Sequence, residues 1–479
     1  MRGNSARGGP KPWTSWIVVA LALSSASSLR AQTSGDAPPA GSAIAATPSA
    51  PASAPSSGES PKRAVPDYDG RGPPPDEPGA AALWVPRVVL SPAYLATEYV
   101  LRRPLSLAIP AAEHADLPRK VYDLFTFGPE HKAGFAPIGF VEFDFNPSVG
   151  VYAFWDDAGF SGNDLRLHAE AWPTDWVAGS LTERIAVTAD QSVQLRVSAV
   201  HRPDRVFYGL GPRSLQADQS RYADQRVDLS ASHEWRFWRS STIETRAGLR
   251  DVDTSDGHFG GDPSLSREAR TGAFEIPDGF GREYTDEYNR LVLALDSRAR
   301  QERPGSGVRV ELGAEQGNNL HGTPASGFLR YGATAAGYLD LNGRSRVLGL
   351  SITTLFADPL GSRLIPFTEL VSLGGDKLML AYFGGRLIDR SAAVATLSYA
   401  WPVGPWLDGH LEIAAGNVFG MRLAGFDWSL LRLSGAVGVS IGGLRDAPIE
   451  ALIGLGTETF AQSGQVDSVR VMLGVPHSF

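Results

Sequence analysis

The chain has 479 residues, no cysteine, 44 Lys and Arg against 52 Asp and Glu, and a formal charge of −8. The missing cysteines exclude a disulfide framework, a thiolate metal site and a cysteine nucleophile, and the mild acidity argues against nucleic acid, whose phosphates need a basic face. Glycine, at 53 residues, is about 11% of the chain against a usual ~7%, which suits tight hairpins and curved strands.

Arg2, Arg7 and Lys11 precede an apolar run from Trp16 to Leu23, and the small Ala31 follows. Eight apolar residues are too few for a membrane span of about 20. The order of charge, apolar core and small residue predicts a secretory signal over 1–31. Residues 32–82 are rich in Ala, Pro, Ser and Gly. They cannot bury enough apolar surface to offset chain entropy, so a disordered, extended linker is expected. Over 83–118, Val88, Leu90, Tyr94, Leu95, Tyr99 and Leu101 recur near helical spacing, with Arg102 and Arg103 at the end and Pro104 after them. Basic residues suit a helix C-terminus and proline stops its continuation, so a short periplasmic helical segment is expected.

From about 119 the period becomes two. Val141, Phe143 and Phe145 alternate with Glu142 and Asp144; Val193, Leu195 and Val197 with Gln194 and Arg196; Ile243, Thr245, Ala247 and Leu249 with Glu244 and Arg246; Val308, Val310 and Leu312 with Arg309 and Glu311. A last run sets Val469, Val471, Leu473 and Val475 against Arg470, Met472 and Gly474, and the chain ends on Phe479. Each run has one apolar and one polar face, as a half-buried strand requires. A soluble sandwich shares that alternation. Repeated full charges on the polar faces suit a wet lumen and not a dry core. The expected fold is therefore all-β: a transmembrane antiparallel barrel over 119–479, about 16 strands, in a bacterial outer membrane, with Phe479 as a C-terminal assembly signal. Trp155, Trp172, Trp176, Tyr399 and Trp401 fall near strand ends, where an interfacial girdle stands. The Gly- and Asp-rich stretch 251–285 reads as a hydrated extracellular loop, its Asp251, Asp253 and Asp256 spacing being a poor match to a calcium loop.

Hydrolase chemistry needs a nucleophile, a base in reach and an orienting group. No HExxH or GxSxG pattern is present, and His233 beside Glu234 reads as a strand-face pair. No catalytic residue, metal or cofactor is expected.

Four motifs in order carry a resemblance. They are FYGLG at 207–211 with Pro212 and Ser214 after it; LGGDKLMLAYFGGRLIDR at 373–390; Tyr399 with Pro402; and LEIAAGNVF at 411–419. The sequence resembles the BamA/TamA family of outer-membrane proteins, the bacterial surface antigens, over most of 119–479. Nothing before 119 looks like the POTRA repeats many members carry. The resemblance implies a 16-stranded barrel with a loop folded into it, non-enzymatic, that inserts barrels or passes polypeptides or lipids, or supports envelope integrity. Its implied partners are outer-membrane lipids and, during biogenesis, the barrel-assembly machinery. A passive porin-like or structural barrel is the alternative, and a barrel hydrolase the remote one.

The loop motif comprises Gly374, Gly375, Leu380, Ala381, Tyr382, Gly385, Arg386, Asp389 and Arg390, and faces the strand positions Ser398, Glu412 and Ala414. In the family a loop-tip arginine pairs with two wall carboxylates. Aligned on Gly385 and Arg386, those three charges become Leu380, Ser398 and Ala414, all lost together. Removing one partner of a buried ion network costs about 3–5 kcal/mol, whereas replacing the set can be neutral. The loop is therefore expected to fold inward on Leu380 and Tyr382, with Arg386, Asp389, Arg390 and Glu412 supplying a substitute pairing.

Overall fold

The computed structural model describes residues 117–475 apart from 173–174, 301–304, 323–325, 342, 344 and 404–406. The expected signal, the linker, the helix over 83–116 and Phe479 lie outside the described residues.

A helix, α1 (Leu117–Phe125), and a two-residue strand, β1 (Thr126–Phe127), lead into the wall. The expected boundary at 119 thus falls inside a helix, and wall strands begin at Ala133. Sixteen strands close into an antiparallel barrel. They are β2 (Ala133–Glu142), β3 (Ser148–Trp155), β4 (Asn163–Trp172), β5 (Trp176–Thr188), β6 (Gln191–Phe207), β7 (Ser220–Trp238), β8 (Ser241–Asp256), β9 (Tyr284–Asp296), β10 (Gly307–His321), β11 (Gly327–Asp340), β12 (Val347–Pro359), β15 (Ser391–Pro402), β16 (Leu407–Phe419), β17 (Arg432–Leu444), β18 (Ala447–Thr457) and β19 (Val466–Gly474). Between β12 and β15 a small hairpin, β13 (Val371–Leu373) with β14 (Leu387–Asp389), stands apart from the wall. A short helix, α2 (Leu265–Thr271), sits between β8 and β9.

The register explains the alternation. Glu142, Met472, Leu452, Gly438, His410 and Ala400 follow one another across neighbouring strands on one face. That face is the lumen. On the last strand Arg470 is 2% exposed, while Val469 and Leu473 beside it are 57% and 56% exposed. On β8 to β10 the outward apolar positions run about eight residues up from one end before Asp251, Asn289 and Gln316 interrupt them. At about 3.3 Å per residue and a tilt of ~40°, eight residues rise ~20 Å, close to the ~25 Å apolar band of a transmembrane barrel. The connections at that end are short, as at 189–190, 239–240 and 445–446, and those at the other end are long, as at 208–219, 257–283 and 360–390. Short turns mark the periplasmic side and long loops the outside.

Several expectations change. Trp172 and Trp176 belong to no outer girdle: Trp176 faces the lumen, 4% exposed, under the Arg202 guanidinium, with Trp172 packed on its cluster. Trp155, Tyr399 and Trp401 do stand at periplasmic strand ends, the last two rings stacked at 5.2 Å. Phe145 and Val475 leave the wall and pack inside. The stretch 251–285 is not one hydrated loop. Its first six residues continue β8, with Asp251 and Asp253 in the strand, and Asp256 accepts the Ser266 amide at 2.8 Å at the start of α2. Leu265 and Phe274 then bury against Phe207 and Phe367, because a loop of this length carries its own apolar anchors. His233 and Glu234 point to opposite faces, since successive strand residues must; Glu234 turns inward to Arg236 at 2.8 Å.

Candidate functional site: the inward loop and the barrel seam

Residues 360–390 leave the outer end of β12, enter the barrel and return to β15. The β13/β14 hairpin makes the stalk and residues 374–386 the tip. Gly374 has φ +99°, and a Cβ there would lie 2.2 Å from the Phe383 carbonyl oxygen, so only glycine permits the turn. The Gly375 amide donates to Tyr382 O at 2.8 Å and the Tyr382 amide to Met379 O at 3.0 Å, closing the tip on itself.

The tip sits on β17 to β19 in a slot that two glycines create. A Cβ on Gly454 would stand 2.6 Å from the Ala381 Cα, and one on Gly456 2.6 Å from the Tyr382 ring. Backbone satisfaction then fixes the seat. The Ala381 amide donates to Ser434 Oγ and its carbonyl accepts from Ser468 Oγ, both at 3.0 Å. The buried Tyr382 hydroxyl lies 2.6 Å from Thr457 O and accepts the Thr457 amide at 2.7 Å. Tyr382 and Ala414 share one apolar cluster. Leu380 is partly buried against Ala436, Leu452 and Met472. Its amide reaches Glu412, and Ser398 is the cross-strand neighbour of Glu412.

The ionic part of the seat differs from the expectation. Of Arg386, Asp389, Arg390 and Glu412, only Arg386 makes an ion pair among the described contacts, at 3.4 Å to Asp467. Asp389 accepts the adjacent Arg390 amide, and Glu412 Oε1 has no hydrogen-bond partner. The main cation comes from the wall. Arg470 on β19 donates to Glu142 at 2.5 Å, to the loop carbonyls of Gly375 at 2.6 Å and Leu380 at 3.1 Å, and to Asp376 at 3.0 Å. The guanidinium therefore stands on the wall, with three of its acceptors on the loop and the fourth, Glu142, on β2. A planar five-donor group meets four acceptors at once, which a lysine could not do.

Two of the sequence motifs meet here. Arg386 lies 4.4 Å over the Tyr208 ring and donates to Ser214 Oγ at 2.8 Å. Arg432, on β17, donates to Ser214 O at 2.7 Å and shares Asp467. The 207–214 motif is thus the outer clamp on the loop.

A second anchor crosses the lumen. Glu369, fully buried on the loop, pairs with Arg250 of β8 at 2.8 Å and Arg330 of β11 at 3.1 Å, and accepts the Tyr284 hydroxyl at 3.0 Å. Burial pushes its carboxyl up, but Arg250, Arg330 and Arg226 prevail and hold it at about 2. The loop is thus fixed to β8, β9 and β11 on one side and to β17 to β19 on the other. Arg470, Arg432, Asp467 and Glu369 were not singled out from sequence. The readable signal was a full charge at a lumenal position beside glycines, as at Arg470 next to Gly454.

The loop tip lies beside the weakest joint of the wall. β2 and β19 share three register pairs, Phe140 to Glu142 with Gly474 to Met472, where β4 and β5 share ten. Pro137 removes a donor from β2. Gly474, at φ +142°, brings its backbone against Gly139, where a Cβ would meet the carbonyl oxygen at 2.1 Å. Below the seam the β17–β18 turn reaches past β19 and β2. Arg445 pairs with Asp156 at 2.6 Å and donates to His131 O, and Asp446 pairs with Arg166 at 3.4 Å and accepts from Tyr152.

No family model matches the chain, and no curated protein matches it. Solved structures similar to it include BamA from Haemophilus ducreyi lacking POTRA domains 1–3, at 13% identity over 72% of this chain and 70% of that one, TM-score 0.49. CdiB from Acinetobacter baumannii is 9% identical over 72% of this chain and 59% of that one, TM-score 0.43. OccK11 (OpdR) of Pseudomonas aeruginosa is 12% identical over 72% and 94%, TM-score 0.33. All three TM-scores are under 0.5; the fold stands on its own closed register and two-faced wall.

Proposed function

We propose that this protein is a non-enzymatic outer-membrane barrel of the BamA/TamA type, serving passage or insertion of polypeptide or lipid, or envelope integrity. One observation carries the reading: a loop anchored on opposite walls lies beside a three-pair seam and shares Arg470 with it. A wall-bonded inward loop would also serve a passive pore as a constriction; what favours the responsive barrel is that the Arg470 guanidinium holds the loop and the seam together. A barrel whose seam and contents must respond together has a use for a loop that touches both. The motif at 373–390 adds family likeness, with its charges relocated.

The test is conductance in planar bilayers. The purified, refolded protein is expected to give small flickering openings. A large, steady channel would overturn the reading in favour of a passive porin. Ester hydrolysis lost on substituting a single histidine would instead revive an enzyme.

A further inference from the structure

The lipid-facing wall carries one anomaly. Glu183 on β5 stands on the same side as Leu181 and Val187, 45% and 58% exposed. His233 on β7 shares its side with the exposed Trp235. Among the described residues these are the only carboxylate, amine, guanidinium or imidazole side chains at outward positions within eight residues of the periplasmic strand ends. They lie at equal depth, each five residues above its strand end at Thr188 or Trp238. One strand separates them. Glu183 pairs in register with Leu195 of β6, and His233 with Val193.

Five residues rise about 12 Å at 3.3 Å per residue and ~40° tilt, which places both groups in hydrocarbon. An ionisable side chain at that depth is costly and as a rule has a partner. Two strand spacings sideways and two residues along the strand set the groups about 11–12 Å apart, so neither serves the other; among the described residues His233 meets only the neutral Gln191 side chain, at 3.4 Å. Opposite charge character, equal depth and a strand midway between them are what a two-fold interface needs. A rotation about the membrane normal swaps left and right at constant depth, so it sets each group before the other kind. We propose that the outer face of β5 to β7 binds a second copy of this chain, with the axis at Leu195 and Glu183 of each copy meeting His233 of the other. Leu181, Val197 and Leu229 supply the apolar contact around the two pairs.

The chain has no cysteine, so one introduced thiol reports on its own symmetry mate. Leu195→Cys places it at the axis. Leu350→Cys, on β12 and 59% exposed, is the control on a distant face. Both proteins are refolded into lipid vesicles, checked by heat-modifiable migration and oxidised. Leu195→Cys is expected to give covalent dimer at least about 5-fold above the control. Adding Glu183→Gln or His233→Gln should cut that yield about 5-fold, and the exchange Glu183→His with His233→Glu should restore it. Equal cross-linking at the two positions overturns the proposal. So does an axis cross-link indifferent to both single substitutions, which would mean another occupant or a contact made by apolar surface alone.

Discussion

The Arg470 guanidinium and the Leu380 carbonyl are 3.1 Å apart, joining the last strand of the wall to the tip of a loop 90 residues earlier. The same guanidinium reaches Glu142 across the seam. One side chain therefore couples barrel closure to loop seating, and either event helps position the acceptors of the other.

Arg470→Met should be costly because it strands Glu142 and Asp376. We expect a loss of about 3–5 kcal/mol, the usual result of breaking a buried pair from one side. Adding Glu142→Gln should recover part of it. Urea unfolding in lipid vesicles checks both, and an additive double variant would mean the pair is not coupled.

The Glu369 anchor should fade in acid. Its carboxyl is held at about 2 in the folded protein against a usual 4.5, so the unfolded chain binds the proton first as pH falls. The stabilisation is fully present above about 4.5 and is lost progressively between there and about 2. Glu369→Gln should lower stability at pH 7 and flatten this dependence. Unfolding midpoints measured from pH 7 to pH 3 in both proteins test it.

Gly454→Val should evict the loop. A Cβ alone would meet the Ala381 Cα at 2.6 Å, and the branched side chain has no room beyond it. Overpacking typically costs about 1–3 kcal/mol, and here moving the tip relieves it. We expect larger and longer openings in planar bilayers than in the parent protein. Unchanged conductance would place the barrier elsewhere.

The periplasmic clasp should hold the seam. Val141 and Leu473 face each other across it, so Val141→Cys with Leu473→Cys reports closure by disulfide formation. Arg445→Glu sets a carboxylate against Asp156 and should reduce cross-linking several-fold. Asp156→Arg in the same protein should restore it.

The period-two pattern was legible because a membrane wall has two unlike sides. Val469, Val471 and Leu473 declared the strand and its orientation without any partner. The loop motif was legible as a turn, since Gly374 and Gly375 admit little else. Its charge pairing was not. Arg386, Asp389, Arg390 and Glu412 are near in sequence or motif, but a guanidinium pairs with what surrounds it in space. Trp176 was misplaced for a related reason: near a strand end, one residue decides between lipid and lumen, and register decides that residue.

Strands, faces, the exclusion of thiol chemistry and the glycine turn can all be read from the residues in order, because they follow from backbone geometry and the contrast between oil and water acting locally. That Arg470 and Glu369 pin the loop from opposite walls, that the seam has three pairs, and that Glu183 and His233 share one depth emerge from the closed barrel alone. Those relations join residues tens to hundreds of positions apart, and ring closure alone brings them together.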